Sequence, residues 1–364
     1  MKIKQVIQEI EKIAPLAYAE DFDNVGLLVG NSDDEAKGVL IAHDVLENVI
    51  DEAIEKNANL IVSFHPIIFK GLKKLNGKNY VERVVMKAIK NNIAIYAIHT
   101  ALDNQYFGVS GILAKKLGLQ NRRVLLPQQK TLRQLVTYVP IADAEKLRHS
   151  LFDAGAGKIG KYEACSFNMQ GTGSYKPTEG ANPYIGRVGK HHRESEERIS
   201  VIFQKHLQSE ILDALFDAHP YEEVAYEIFE ILNDNQEIGL GIIGSLPETA
   251  EELEFLKQLK KDLNLGCIRH SKLIGKPIKK IAVLGGTGAF AIEKARRAGA
   301  DIYITADVKY HEFYQGENQM IIADVGHFES EQFTKSFLFD FLTKKFSNFA
   351  VALSATKTNP INYL

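Results

Sequence analysis

Four residues of this 364-residue chain combine two imidazoles with two carboxylates, a set that can hold a metal ion. They are His65, Asp103, His327 and Glu331. His327 and Glu331 are spaced i, i+4 at the predicted start of a helix, so one helix face presents both side chains to the same ion. Nitrogen and oxygen donors without thiolates suit Zn, Fe(II), Mn or Co. A carboxylate can also bridge two ions about 3.5–4 Å apart, as in two-metal hydrolases.

Each of these residues also has a purely structural interpretation. His65 precedes Pro66, which holds it extended at a strand end, where its ring can simply bond to backbone. Asp103 precedes Asn104 in a pair typical of turns. Glu331, in a first helical turn, complements the helix dipole. The metal hypothesis therefore depends on whether the fold brings the four residues together.

The first and last thirds of the chain alternate short apolar strands with amphipathic helices. In the first third, strands are predicted at residues 38–41, 59–64 and 93–98, and helices at 47–56, 81–90 and 109–117. In the last third, strands are predicted at residues 280–284, 301–305, 320–325 and 351–354, and a helix at 331–346. Continuous apolar strands between helices predict an α/β fold with a mostly parallel sheet and helices on both faces.

Polar residues follow these strands at their carboxyl ends. They are His43, Asp44, His65, His99, Asp103, Asp307, His311 and His327. The carboxyl ends of parallel strands share one edge of the sheet, where ligands bind. We therefore expect the predicted metal ligands to meet there, with His99 and His311 as candidate proton shuttles.

A glycine-rich turn at residues 285–288 joins a predicted strand to a predicted helix. Gly286 and Gly288 fit the pattern G-x-G-x-x-A, but no acidic residue follows a second strand about 20 residues later, as a dinucleotide site needs. Three interpretations remain open: a tight turn, a dinucleotide site, and a nest of backbone N–H groups that binds a phosphate near the metals.

The middle of the chain follows another pattern. Its strand-like and helix-like segments are typical of the order strand-helix-strand-strand-helix-strand of ferredoxin-like α+β domains. The charged run at residues 190–198 is predicted to be a solvated loop. We therefore expect a discontinuous α/β domain at residues 1–127 and 233–364, with an inserted domain at residues 128–232.

Composition argues against several other classes of protein. The formal net charge of −2 gives no bulk attraction to nucleic acid. The two cysteines, Cys165 and Cys267, form no C-x-x-C pattern, which excludes a disulfide scaffold and a thiolate zinc site. No apolar run approaches the roughly 18 residues that span a membrane, and the first helix is amphipathic rather than a signal peptide. We therefore expect a cytoplasmic protein.

Seven motifs lie in order at residues 20–27, 65–69, 99–103, 239–244, 285–289, 305–311 and 326–331. Together they resemble those of the NIF-three-like family, whose members are also called GTP cyclohydrolase 1 type 2 homologues. The resemblance extends over both α/β halves. The inserted domain resembles the PII/CutA-like domain of longer members.

This resemblance implies a dinuclear metal centre with His65, Asp103, His327 and Glu331 as ligands. It also implies a homohexameric, toroidal assembly with the metals facing its interior. The implied activity is that of a metal-dependent hydrolase, in which a metal-activated water opens the purine ring of GTP or attacks a similar nucleotide. The alternative is a non-enzymatic hexameric metal-binding adaptor or regulatory protein whose insert senses a small ligand.

Two positions depart from the family pattern. Members usually have two adjacent histidines where this chain has Phe64 and His65, so one imidazole is missing. We therefore expect one strong and one weakened site for divalent Zn, Fe or Mn, unless the second ion recruits His99, His43 or water. Ile242 stands where arginine is common, which removes a candidate anion contact.

Overall fold

The computed structural model describes residues 1–364, which form two compact units. The larger unit comprises residues 1–128 and 236–364, and the smaller unit comprises residues 129–235. The chain of the larger unit is thus interrupted by the smaller one. None of the helices combines the length and the apolar character that crossing a bilayer requires.

The first part of the larger unit alternates helices and strands. In chain order these are α1 (Ile3–Ile13), β1 (Gly26–Val29), β2 (Val39–Ala42), α2 (Glu47–Glu55), β3 (Leu60–Ser63), α3 (Tyr80–Lys90), β4 (Ala94–Ala97), α4 (His99–Asp103), α5 (Val109–Lys116) and β5 (Gln120–Pro127). Each strand and helix predicted between residues 38 and 117 is present, with ends that differ by one residue or less.

The smaller unit contains four strands and two helices. In chain order its elements are β6 (Leu132–Pro140), α6 (Ala144–Asp153), β7 (Ser166–Tyr175), β8 (His192–Gln204), α7 (Gln208–Ala218) and β9 (Tyr226–Ile231). The strands form one antiparallel sheet in the order β7-β8-β6-β9.

The prediction of a loop for the charged run at residues 190–198 is wrong, because most of it lies in β8. Apolar side chains of β6 and β8 pack with α6 and α7 in one core, as Leu135 and Ile199 do with Leu147 and Leu215. An antiparallel sheet needs an apolar residue only at every second position when one face is covered. Charged residues on the other positions are therefore compatible with a strand.

The second part of the larger unit contains the remaining elements. These are β10 (Gly239–Ala250), α8 (Glu252–Asp262), β11 (Arg269–His270), β12 (Ile278–Thr287), α9 (Ile292–Arg297), β13 (Ile302–Ala306), β14 (Ile321–Asp324), α10 (His327–Glu331), α11 (Thr334–Lys345) and β15 (Val351–Leu353). The four strands predicted in this part correspond to β12, β13, β14 and β15. Sequence analysis missed β10, whose glycines and proline are untypical of strands.

The larger unit contains two sheets instead of the single mostly parallel sheet that was expected. The first has the order β1-β4-β3-β2-β15 and is parallel except for the pair of β1 and β4. The second has the order β11-β14-β13-β12-β10-β5, and only the pairs of β13 with β12 and β14 are parallel. The unpredicted strands β5 and β10 add antiparallel pairs to the second sheet, which explains its mixed character.

Helices cover both faces of the first sheet. Val39 and Ile41 pack with α1 and α11 on one face, and Leu40 packs with α2 and α3 on the other. The aromatic residues of the last predicted helix, Phe333, Phe337, Phe339 and Phe341, give it apolar residues on more than one face and would suit contacts between subunits. All four are partly buried against the chain's own cores, so they do not by themselves require a second copy.

Glu52 of α2 holds the chain segment that follows β15. Its carboxylate accepts hydrogen bonds from the hydroxyls of Ser354 and Thr356. Burial would raise the pKa of Glu52, but the hydrogen bonds from this segment lower it from 4.5 to about 2. Further along, the Thr358 hydroxyl donates to Asp44 at 2.8 Å, so the segment also reaches the residues that follow β2.

Replacing Glu52 by glutamine should destabilise the protein in a pH-dependent manner. Because the pKa of Glu52 is lower in the folded chain, its contribution is fully present above about pH 4.5 and is lost as the pH falls toward 2. The lowering of the Glu52 pKa corresponds to roughly 3 kcal/mol of folding free energy at neutral pH. Urea unfolding should show a loss of this order for Glu52→Gln at pH 7 and a smaller one near pH 3, with exposed Glu254→Gln as control. Equal losses at both pH values would contradict this assignment.

The larger unit should fold without the smaller one. Pro127 at the end of β5 lies opposite Gly239 of β10, so the two ends of the interruption lie side by side, as in a hairpin. A chain in which a short Asn-Gly turn replaces residues 129–235 should therefore keep a helical circular-dichroism spectrum and a cooperative thermal transition. An insoluble product, or one that melts without cooperativity, would contradict this independence.

Candidate metal centre

The carboxylate of Glu331 lies among three imidazoles. Its Oε2 is 3.3 Å from Nε2 of His43 and 3.3 Å from Nε2 of His65, and its Oε1 is 3.3 Å from Nε2 of His327. Only 3% of the Glu331 side chain is exposed. His43 follows β2, His65 follows β3, and α10 carries His327 and Glu331 one turn apart. The cluster therefore combines strand ends of the first sheet with the helix that follows β14.

Nδ1 of His65, of His327 and of the neighbouring His99 each contacts a further carboxylate, whereas Nδ1 of His43 has no partner. These Nδ1-to-oxygen distances are 2.8 Å for His65 and Asp44, 2.7 Å for His327 and Asp307, and 2.9 Å for His99 and Asp23. A carboxylate that accepts the Nδ1 proton fixes the ring orientation and leaves the Nε2 lone pair for a metal, an arrangement common around metal-bound histidines. Sequence analysis had assigned these carboxylates no such role, although Asp44 and Asp307 stand at strand ends.

Asp103 is the fourth predicted ligand and lies at the end of α4. Its Oδ1 is enclosed and has no hydrogen-bond partner. Burial, followed by the negative charge of Glu331, raises the pKa of Asp103 well above its usual value. The carboxyl group is thus poorly satisfied without a cation beside it.

The carboxylates and imidazoles of the cluster shift one another's pKa values. Burial would raise the pKa of Glu331, but His43 and His65 hold it well below its usual range. Burial would lower the pKa of His65, but Asp44 and Glu331 raise it to about 10. Asp307 and Glu331 likewise raise the pKa of His327 against the effect of burial. The carboxylates therefore favour the protonated, positively charged forms of His65 and His327.

A divalent cation fits this donor set. His65, His327 and Glu331 offer ligand atoms within 4.8 Å of one another, and so do His43, Asp44 and His65. Two buried polar atoms of these groups lack hydrogen-bond partners, His43 Nδ1 and Glu331 Oε2. So does Asp103 Oδ1, although Asp103 lies outside both groups. Imidazole and carboxylate ligands with no thiolate suit Zn, Fe or Mn. A cation would replace the protons that the carboxylates otherwise draw in.

The glycine turn brings the backbone against the Glu331 carboxylate. Gly286 has φ of +69°, and a Cβ atom there would lie 2.3 Å from Glu331 Oε1. The Gly286 N–H donates to the Ser330 hydroxyl at 2.8 Å. Gly288 is equally constrained, since a Cβ there would lie 2.1 Å from the Thr305 hydroxyl oxygen. The turn therefore lets the backbone pass close to Glu331 and Thr305. Its role as a phosphate nest stays a prediction, and the Gly286 N–H is already engaged by Ser330.

The remaining predicted residues lie in different surroundings. The His99 ring centroid is 5.1 Å from that of His65, so His99 borders the cluster. His311 is exposed in a 3-10 helix (Tyr310–Gly316), and its ring lies against Tyr310 and Tyr314, outside both ligand groups. Phe64 is fully buried.

The fold and the cluster together define a mixed α/β protein with His, Asp and Glu groups that could bind metal. The chain belongs to the Duf34/NIF3 (NGG1p interacting factor 3) family, which it matches over residues 1–360. The resemblance deduced from its motifs is thereby confirmed.

Relatives of known sequence and structure match the chain end to end. It is 39% identical over 368 residues to a Bacillus subtilis protein named "GTP cyclohydrolase 1 type 2 homolog", covering 99% of this chain and 98% of the relative. A protein of the same name from Halalkalibacterium halodurans is 38% identical over 364 residues, with 99% and 98% covered. The crystal structure of a Bacillus cereus protein related to NIF3 has a TM-score of 0.88 at 36% identity, covering 100% of this chain and 99% of that one.

Metal binding should depend on the Glu331 carboxylate and on the carboxylates behind the histidines. Glu331→Gln keeps the shape of the side chain but removes its charge, so bound metal should be lost. Asp307→Asn should weaken binding about 10- to 100-fold, because it removes an orienting partner of His327. Metal content after dialysis and isothermal titration with Zn²⁺ measure both effects, with exposed His149→Gln as control. Unchanged stoichiometry in Glu331→Gln would refute this centre.

Proposed function

We propose that this protein is a metal-dependent hydrolase acting on a nucleotide-like substrate. The observation that carries the proposal is the Glu331 carboxylate, with an imidazole nitrogen 3.3 Å from each of its oxygens and with Oε2 lacking a hydrogen bond. A cluster kept only for stability would be expected to satisfy its buried polar atoms. The name of the Bacillus subtilis relative supports GTP as the first substrate to test.

His65, Asp103, His327 and Glu331 would hold the ions in this proposal. A bound divalent ion supplies Lewis acidity and lowers the pKa of water near neutrality. The chain's own residues do the rest: the two carboxylates provide the charge that retains cations, while Asp44 and Asp307 fix ring orientations. Both functions need buried, preorganised groups, which the strand ends supply.

His99 is our candidate for moving a proton between water and substrate. Its Nδ1 is bound to Asp23, which leaves Nε2 to accept or donate a proton. The backbone of His99 has φ of +24°, a strained conformation of the kind that clusters at functional sites. His311, exposed among tyrosines, is the weaker candidate. In the glycine turn, the Gly288 N–H would contact phosphate, since those of Gly285 and Gly286 donate to the hydroxyls of Ser110 and Ser330.

Hydrolytic opening of GTP is the test of this function. Metal-loaded protein should convert GTP with release of formate, and a chelator should abolish the reaction. Asp103→Asn should lower kcat/KM by at least about tenfold, since removing even an outer partner of a metal ligand costs 10- to 100-fold. His149→Gln should retain full activity. Absence of turnover in protein of verified metal content would reject GTP hydrolysis.

The second candidate function is a hexameric metal-binding adaptor or regulator whose smaller unit binds a small ligand. It is favoured by a cavity of about 700 Å³ lined only by residues of the smaller unit, within the usual size of ligand sites. Its walls include the side chains of Tyr138, Tyr175, Tyr184, Tyr221 and Glu196. Metal binding without GTP turnover would favour this candidate.

Two features of the family resemblance belong to either function. The strand order β7-β8-β6-β9, with α6 and α7 in the connections, supports a ferredoxin-like fold similar to PII and CutA for the smaller unit. A homohexameric ring is the assembly we propose, with the metal centres facing its interior.

A further inference from the structure

Positions 43 and 64 are neighbours at the carboxyl ends of two parallel strands. β2 and β3 pair with Ala42 opposite Ser63, and the ladder continues where the Phe64 N–H donates to the Ala42 carbonyl at 3.1 Å. The ring centroids of His43 and Phe64 are 5.3 Å apart, with an angle of 21° between the ring planes. The His43 imidazole therefore lies beside the side chain at position 64 on the neighbouring strand.

The surroundings of His43 do not explain a histidine by packing alone. Its ring contacts three other rings, Phe64, His65 and Phe328, and only 2% of the residue is exposed. Its contact with a charged group is Nε2 to Glu331, and its Nδ1 has no hydrogen-bond partner. A buried polar ring without full hydrogen bonding lowers stability, whereas an apolar side chain would suit the neighbouring rings.

We propose that His43 is a metal ligand and supplies the imidazole that Phe64 cannot. The proposal rests on the metal centre of the proposed function. Glu331 Oε2 is 3.3 Å from Nε2 of both His43 and His65, so the two rings approach the same carboxylate oxygen. With His43 added, three imidazoles and two carboxylates are available for two ions. The second ion then has a full set of protein ligands, and its site is not weakened.

His99 is the other histidine that borders Phe64. Its ring centroid is 5.6 Å from that of Phe64, at nearly the same distance as His43. Its ion pair, however, is with Asp23 rather than with Glu331. His43 is therefore favoured as the ligand, because it both neighbours position 64 and contacts the Glu331 carboxylate. His99 provides a matched control.

An exchange of side chains between the two strands tests the proposal. Bound Zn²⁺ per chain is measured by plasma mass spectrometry after identical loading and dialysis, and circular dichroism verifies folding. The unmodified protein should hold two ions, and His43→Leu should hold one. Adding Phe64→His to His43→Leu should restore two, because the imidazole returns from the neighbouring strand. His99→Gln should keep two ions, and Phe64→His alone should gain none.

The outcomes separate this proposal from the proposed function. Two ions retained in His43→Leu, or failure of the double variant to regain the second ion while folded, would overturn the role of His43. A single ion in the unmodified protein that becomes two in Phe64→His would do the same, since the missing ligand would then still be missing. Two ions that depend on His43, in a protein that never turns over GTP, would support this ligand while rejecting GTP hydrolysis.

Discussion

A negative charge buried at Glu331 is the constraint on which the site depends. An isolated carboxylate removed from water is strongly destabilised unless positive charge or hydrogen bonds compensate it. Here compensation comes from imidazoles on three sides, two of which are backed by further carboxylates, Asp44 and Asp307. The cluster contains more hydrogen-bond acceptors than the protein's own donors satisfy. That excess is the physical basis of the metal binding that we propose.

The fold of the larger unit places this charge by using the ends of short strands. β2 and β3 each have four residues, and the histidines follow their last residues, where the backbone leaves the sheet. On the other side, the close passage of Gly286 leaves room for the Glu331 carboxylate. The chain after β15 contributes too, because Glu52 anchors it before Thr358 reaches Asp44. Stability of this terminal segment and orientation of His65 are therefore linked.

Sequence patterns predicted that His65, His327 and Glu331 would lie together, for reasons that are local. An apolar strand followed by His or Asp indicates a sheet edge, and the i, i+4 spacing of His327 and Glu331 places both on one helix face. The pairing of His99 with Asp23 was not predictable in this way, because 76 positions separate the two residues. The role of His43 likewise depends on which strand neighbours β2. The second sheet was mistaken for part of a parallel one because β10, rich in glycine, has no clear strand pattern.

Anomalous X-ray diffraction at a metal absorption edge tests the central claim most directly. Crystals of the unmodified protein loaded with Zn²⁺ should give anomalous peaks within about 2.0–2.2 Å of Glu331 carboxylate oxygens, with His65 and His327 nitrogens at similar distances. Metal found only elsewhere, for example at His191 and His192, or no peak beside Glu331 after loading, would contradict it.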